Sequence, residues 1–141
     1  MSSDTSVSVK RAGGILVFLA CAHLVLTGAL SAEHIPSWFA GGMWFFPPGP
    51  DDLSRLAPDV GAFWLVWGSF AVPLGLIGAL VVGFGRRGEV PPPYLGIGVA
   101  LWALAGAAVF EPSPFVLAVV PAAMLLAARR RATASSASPA P

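Results

Sequence analysis

Four long apolar stretches of the chain carry no Asp, Glu, Lys or Arg: residues 12–32, 60–85, 94–110 and 114–128. Within them apolar residues follow one another almost without interruption, so neither a two-residue nor a 3.6-residue alternation is available to mark an inner and an outer face. The longest, Gly61 to Gly85, has 25 residues. As an α-helix it rises roughly 37 Å, enough to cross a bilayer with some tilt. The pattern predicts an all-α fold, a four-helix transmembrane bundle. Its helices cover about 12–32, 60–85, 94–110 and 114–128, with a long loop at 33–59 and short turns at 86–93 and 111–113. The polar, Ser-rich residues 1–11 and the Ala/Ser/Thr/Pro residues 131–141 are expected to be disordered tails. In the second helix Ala71, Gly75, Ala79 and Gly83 recur every fourth residue. Such a small-residue ridge lets a neighbouring backbone come close, and here it also offers a homodimer contact. Pro73, inside the ridge, is expected to kink the helix.

The first apolar run admits two further readings. Its basic start and the small residues Ala29-Leu30-Ser31-Ala32 resemble a signal peptide, and Phe18-Leu19-Ala20-Cys21 resembles a lipoprotein cleavage site. The run is too long for the first and continues past Cys21, so it is read as a membrane helix.

Composition agrees with that reading. Hydrophobic residues make up 56% of the chain and charged residues 11%, against about 25% charged in ordinary soluble domains; mean hydropathy is +0.78. A net charge of +1 gives no reason to expect a nucleic-acid partner. The single cysteine, Cys21, excludes an intrachain disulfide or a cysteine metal cluster. The distribution of charge says more than its sum. Lys10, Arg11, Arg86, Arg87 and Arg129 to Arg131 lie at the same ends of the four helices, and only Arg55 lies at the other. The positive-inside rule therefore places both termini in the cytoplasm of a multi-pass inner (plasma) membrane protein, with the 33–59 loop outside.

That loop holds Trp38, Phe39, Trp44, Phe45 and Phe46, aromatic residues of the kind that settle at the headgroup level. Asp51-Asp52-Leu53-Ser54-Arg55-Leu56, after Pro50, reads as a short helix.

Candidate chemistry is sparse. His23 falls near the middle of the first helix, where an ionisable group needs a partner. Thr27 is one turn on, and His34 is three turns on near the same azimuth. A neutral histidine bonded to a carbonyl or hydroxyl of a neighbouring helix is the structural alternative to proton transfer. Glu33 and Glu111 end the first and third helices on the outer side. If they converge with His23, a desolvated carboxyl becomes a general acid for an alkene or epoxide, the logic of small membrane isoprenoid cyclases and isomerases. The alternative is two carboxylates in the wet interface, Glu33 paired with Arg55. Asp51, Asp52 and Asp59 with Glu33 or His34 match no known metal-loop spacing and read as a solvated acidic loop. Gly96-x-Gly98 follows no strand, and the chain has no phosphate loop, nucleophile elbow or His-x-x-x-His pair, so neither a cofactor nor a metal is expected.

Phe63-Trp64, Gly68-Ser69-Phe70-Ala71-Val72-Pro73-Leu74, Val90-Pro91, Leu95-Gly96, Pro112-Ser113 and Val120-Pro121-Ala122 resemble a family of small four-helix bacterial membrane proteins common in actinobacteria. His23 between Gly14 and Gly28 is similar to that family's first helix. The resemblance covers roughly residues 12–130 and implies the four-span fold. It departs at Glu111-Pro112-Ser113-Pro114, where the family has Pro-x-Ser-Gly. The family has no established function, so none is implied here.

Three roles follow from these readings. The first is binding of a lipid or lipophilic small molecule in an outward-facing pocket, lidded by Trp38 to Phe46 and lined by Thr27, His34, Trp38, Trp44, Trp64 and Trp102. The second is acid–base catalysis by Glu33, Glu111 and His23. The third is a non-enzymatic subunit of a membrane complex.

Overall fold

The computed structural model describes residues 3–40, 57–109 and 114–137. The described residues are helical and include no strand. The elements are α1 (Ser3–Leu30), a 3-10 turn (Ala32–His34), α2 (Ile35–Phe39), α3 (Pro58–Val66), α4 (Ala71–Arg86), α5 (Pro93–Val109) and a 3-10 turn (Pro114–Ala118) that runs into α6 (Val119–Ala137). Two stretches are long and apolar enough to cross a membrane, Ser3–Leu30 and Pro58–Arg86. Only 22% and 28% of their most apolar windows are buried inside the protein, unlike the core helix of a water-soluble domain.

The helices extend beyond the apolar runs. Residues 3–11 belong to α1 where the sequence reading has a disordered tail, and α6 runs past the arginines to Ala137. For α1 the reason is tertiary packing. Thr5 and Val9 are buried, and Ser6 Oγ donates to the Gly85 carbonyl at 2.7 Å, so the first turns are tied to α4. In α6, Thr133 and Ser135 hydroxyls bond back to the Arg130 and Arg131 carbonyls.

The chain divides into two compact units, residues 1–19 with 74–141, and residues 20–73. The core of the first is Val9 and Ala12 of α1, Val81 of α4, and Leu125 and Ala128 of α6, with Ile77, Phe84, Val90 and Met124 packed around it. α1 and α4 meet at two glycines. A Cβ built on Gly13 would lie 2.7 Å from the Gly78 carbonyl oxygen, and one on Gly78 would lie 2.8 Å from that of Gly13. The packed face of α4 in this unit is thus Leu74, Gly78, Val81 and Gly85, a four-three-four spacing that keeps one stripe against a partner helix. The ridge expected from the sequence lies beside it: Gly75 and Gly83 are half-buried and Ala79 is exposed.

α4 ends in a Schellman closure. Gly88 takes φ +74°, the Glu89 N–H donates to the Phe84 carbonyl at 2.9 Å, and the Gly88 N–H to that of Gly85 at 3.3 Å. Three prolines follow, and Pro93 opens α5. α5 packs along α6 with Gly96 against the Ala122 carbonyl and the Leu126 side chain. Gly106 makes room for Phe115, whose ring meets Trp102 edge-on at 4.8 Å.

In the second unit the expected continuous helix from 60 to 85 is broken. α3 stops at Val66, and helical geometry resumes at Ala71. Pro73 explains the place. It has no N–H and its ring crowds the carbonyl four residues back, at Ser69, so it is tolerated in the first turn of a new helix but not inside an old one. Ser69 fills the break. Its hydroxyl donates to the Val66 carbonyl at 2.6 Å and accepts from the Ala71 N–H at 3.3 Å. Gly68 lies under the Trp64 ring, where a Cβ would collide with it.

Candidate functional site

In the second unit Glu33 and His34 of the 3-10 turn meet Asp59 at the start of α3. Pro36 starts α2, and the Ser37 hydroxyl donates to the His34 carbonyl at 2.7 Å, fixing the turn that presents His34. Pro58 opens α3 and puts Asp59 in its first turn, where a carboxylate meets the positive end of the helix dipole. The two meet: His34 Nδ1 donates to Asp59 Oδ1 at 2.5 Å. On the other edge of the ring, Nε2 is 3.5 Å from Glu33 Oε1. The His34 side chain is 24% exposed, Asp59 46% and Glu33 82%, so the histidine is sheltered between one half-open and one solvated carboxylate.

Trp38 secures this arrangement. It is buried, its indole N–H donates to the Asp59 carbonyl at 2.9 Å, and its ring meets Phe63 edge-on at 5.9 Å. It is an anchor between α2 and α3, not the free edge of a lid. Trp64 is half exposed and stands edge-on to Phe63 at 6.1 Å. Phe39 and Ile35 are also exposed. A sheltered imidazole and two carboxylates therefore share short elements with open aromatic and aliphatic surface.

His23 and Thr27 are occupied in another way. His23 Nε2 donates to the Leu65 carbonyl at 3.1 Å. That carbonyl lies in the last turn of α3, where the helix has run out of its own donors. The histidine thus supplies a donor that the break before Pro73 makes necessary. The Thr27 hydroxyl donates to the His23 carbonyl at 2.7 Å within α1. α3 is stitched at both ends, to His23 by Leu65 and to His34 by Asp59.

The structure brings Glu33 to His34, not to His23. Glu111 and Trp44 lie outside the described residues, as do Asp51, Asp52 and Arg55. Trp102 belongs to the first unit, where Phe115 packs on it. Among the described residues no group of three His, Cys, Asp or Glu is placed to hold a metal ion. Asp59 entered the sequence reading with Asp51 and Asp52, weighed as a cation ligand beside Glu33 or His34 and read as part of a solvated acidic loop. The signal that singles it out is the pair Pro58-Asp59, which starts a helix with a carboxylate in its first turn, whereas a solvated loop would leave it undirected.

The chain matches no protein-family model, no curated protein and no solved structure. The likeness to small four-helix bacterial membrane proteins rests on the motifs alone.

Proposed function

We propose that the protein is a multi-pass plasma-membrane protein of four spans, with both termini cytoplasmic, that binds an amphiphilic molecule such as a lipid at its outer end. One observation carries the binding reading: the short elements that bring Glu33, His34 and Asp59 together also carry the exposed Ile35, Phe39 and Trp64. A polar headgroup meets hydrogen-bonding and charged partners there, while its apolar part lies along rings and aliphatic chains. The spans are supported by the two long apolar stretches, by the 17-residue apolar α5 and by the uncharged residues 114–128. The sidedness is supported by the one-sided basic residues.

The His34–Asp59 bond favours a second reading at the same place. A carboxylate that holds one ring nitrogen orients the imidazole for acid–base work on a bound molecule.

The test is native mass spectrometry of the detergent-purified protein beside its Trp64→Ala and His34→Gln variants. Binding predicts an amphiphile on the wild type that is weakened in both variants. Catalysis predicts that His34→Gln retains a molecule which the wild type converts. A wild type that carries no small molecule, especially as a stable dimer, overturns both and leaves the role of a partner subunit.

A further inference from the structure

We infer that the basic end of the first unit is a binding surface for the headgroups of anionic phospholipids, an inference that rests on the membrane-spanning reading. Ser6 bonds to Gly85, and Val9, Val81 and Ala128 share one core, so the first turns of α1, the last turn of α4 and the middle of α6 lie at one level. Lys10, Arg11, Arg86, Arg87, Arg129, Arg130 and Arg131 emerge there, all exposed. The described acids of this unit are Asp4 and Glu89. Glu89 is taken by Arg87, whose Nε is 3.2 Å from Glu89 Oε2 and whose guanidinium lies 4.9 Å over the Phe84 ring. Among the described residues the other six cations form no ion pair.

The sidedness of basic residues needs only their number. Their placement goes further. The arginine run is held in a helix that continues to Ala137, so its three side chains fan around α6 at about 100° per residue. Arg129 borders the stripe that packs inward through Leu125 and Ala128. The Lys10 stem lies against Gly85, where a Cβ would come within 2.6 Å of its Cγ. These cations are therefore rooted on fixed backbone, and uncharged apolar sequence begins at Ala12, ends at Gly85 and ends again at Ala128. In a spanning protein that is the depth of the lipid phosphates, within reach of snorkelling side chains. Unpaired cations at headgroup depth fit a phosphate carrying net negative charge and gain little from a zwitterionic headgroup.

The experiment reconstitutes the full chain into vesicles of phosphatidylcholine alone and of phosphatidylcholine with an equal share of phosphatidylglycerol. Flotation scores incorporation, and native mass spectrometry after gentle extraction scores retained lipid. The variants are Arg129→Gln/Arg130→Gln/Arg131→Gln and Lys10→Gln/Arg11→Gln, with circular dichroism melts to confirm folding. The wild type is expected to enter both vesicles and retain phosphatidylglycerol selectively, with that selectivity falling at least about fivefold in the triple variant. Should the variants not fold, the same loss is expected for the wild type in high salt. Incorporation into both vesicles with no phosphatidylglycerol preference, or a preference unchanged by the substitutions and by salt, overturns this inference alone. Capture of nucleic acid without lipid preference overturns it likewise. Failure to float with either vesicle overturns the spanning reading as well.

Discussion

Gly13 and Gly14 are neighbours in α1 with opposite surroundings, and alanine at each separates two effects. A Cβ at Gly14 meets nothing within 4 Å. Gly14→Ala should therefore show only the helix-propensity gain, up to about 1 kcal/mol of stabilisation. A Cβ at Gly13 would lie 2.7 Å from the Gly78 oxygen, 2.8 Å from the Val82 nitrogen and 2.8 Å from Val82 Cγ2. Two of the three are backbone atoms, so no rotamer change relieves the clash. Restoring ordinary contact parts α1 and α4 by roughly 0.7 Å, a gap that forfeits a quarter to a half of each contact along the seam. Overpacking of this kind costs about 1–3 kcal/mol. The propensity gain is common to both variants and cancels between them. Gly13→Ala should thus be less stable than Gly14→Ala by about 1–3 kcal/mol. Unfolding of the purified protein by sodium dodecyl sulfate in mixed micelles, followed by far-ultraviolet circular dichroism, measures the difference. Equal stability of the two variants would refute the close glycine crossing.

Three further outcomes are expected. Trp38→Phe should lose about 1 kcal/mol through the hydrogen bond to the Asp59 carbonyl, and Trp38→Ala about 3–5 kcal/mol through the buried ring; in the same titration a neutral Trp38→Ala would mean a mobile aromatic and no anchor. His23→Leu should destabilise by about 0.6–2 kcal/mol because the Leu65 carbonyl loses its donor, whereas His23→Gln, which can still donate, should recover part of the loss; a stable leucine variant would remove the histidine from the α3 end. Cys21 is exposed on α1 within the apolar run, and in membranes it should resist a charged, water-soluble maleimide yet react after denaturation. Ready labelling in intact membranes would place that face of α1 in water.

How much of this was open to the sequence depends on the kind of quantity involved. Apolar length and the one-sided placement of basic residues are sums along the chain and need no knowledge of contacts, so helical content and the long apolar stretches could be read directly. The break in the second apolar helix was half legible. Pro73 announced a disturbance, but whether it bends one helix or begins another depended on Ser69, whose hydroxyl serves both sides of the gap.

Facing directions were not legible. A helix apolar all round has no preferred face, so its sequence does not say which small residues meet a partner. Ala71, Gly75, Ala79 and Gly83 make the more regular ridge, yet Gly78 carries the closest approach to the α1 backbone because Gly13 stands opposite it, and a pairing between two helices is written in neither alone. The polar sites follow the same division. That His23 needs a partner is dictated by its place in an apolar helix. That the partner is the Leu65 carbonyl, and that Asp59 holds His34 while Glu33 stands by, came from the antiparallel run of α3 beside these residues, which brings together groups 42 and 25 positions apart. Chain chemistry thus determined which groups had to be satisfied, and packing decided by whom, because hydrogen bonds and close contacts depend on distances of a few ångströms that no linear pattern contains.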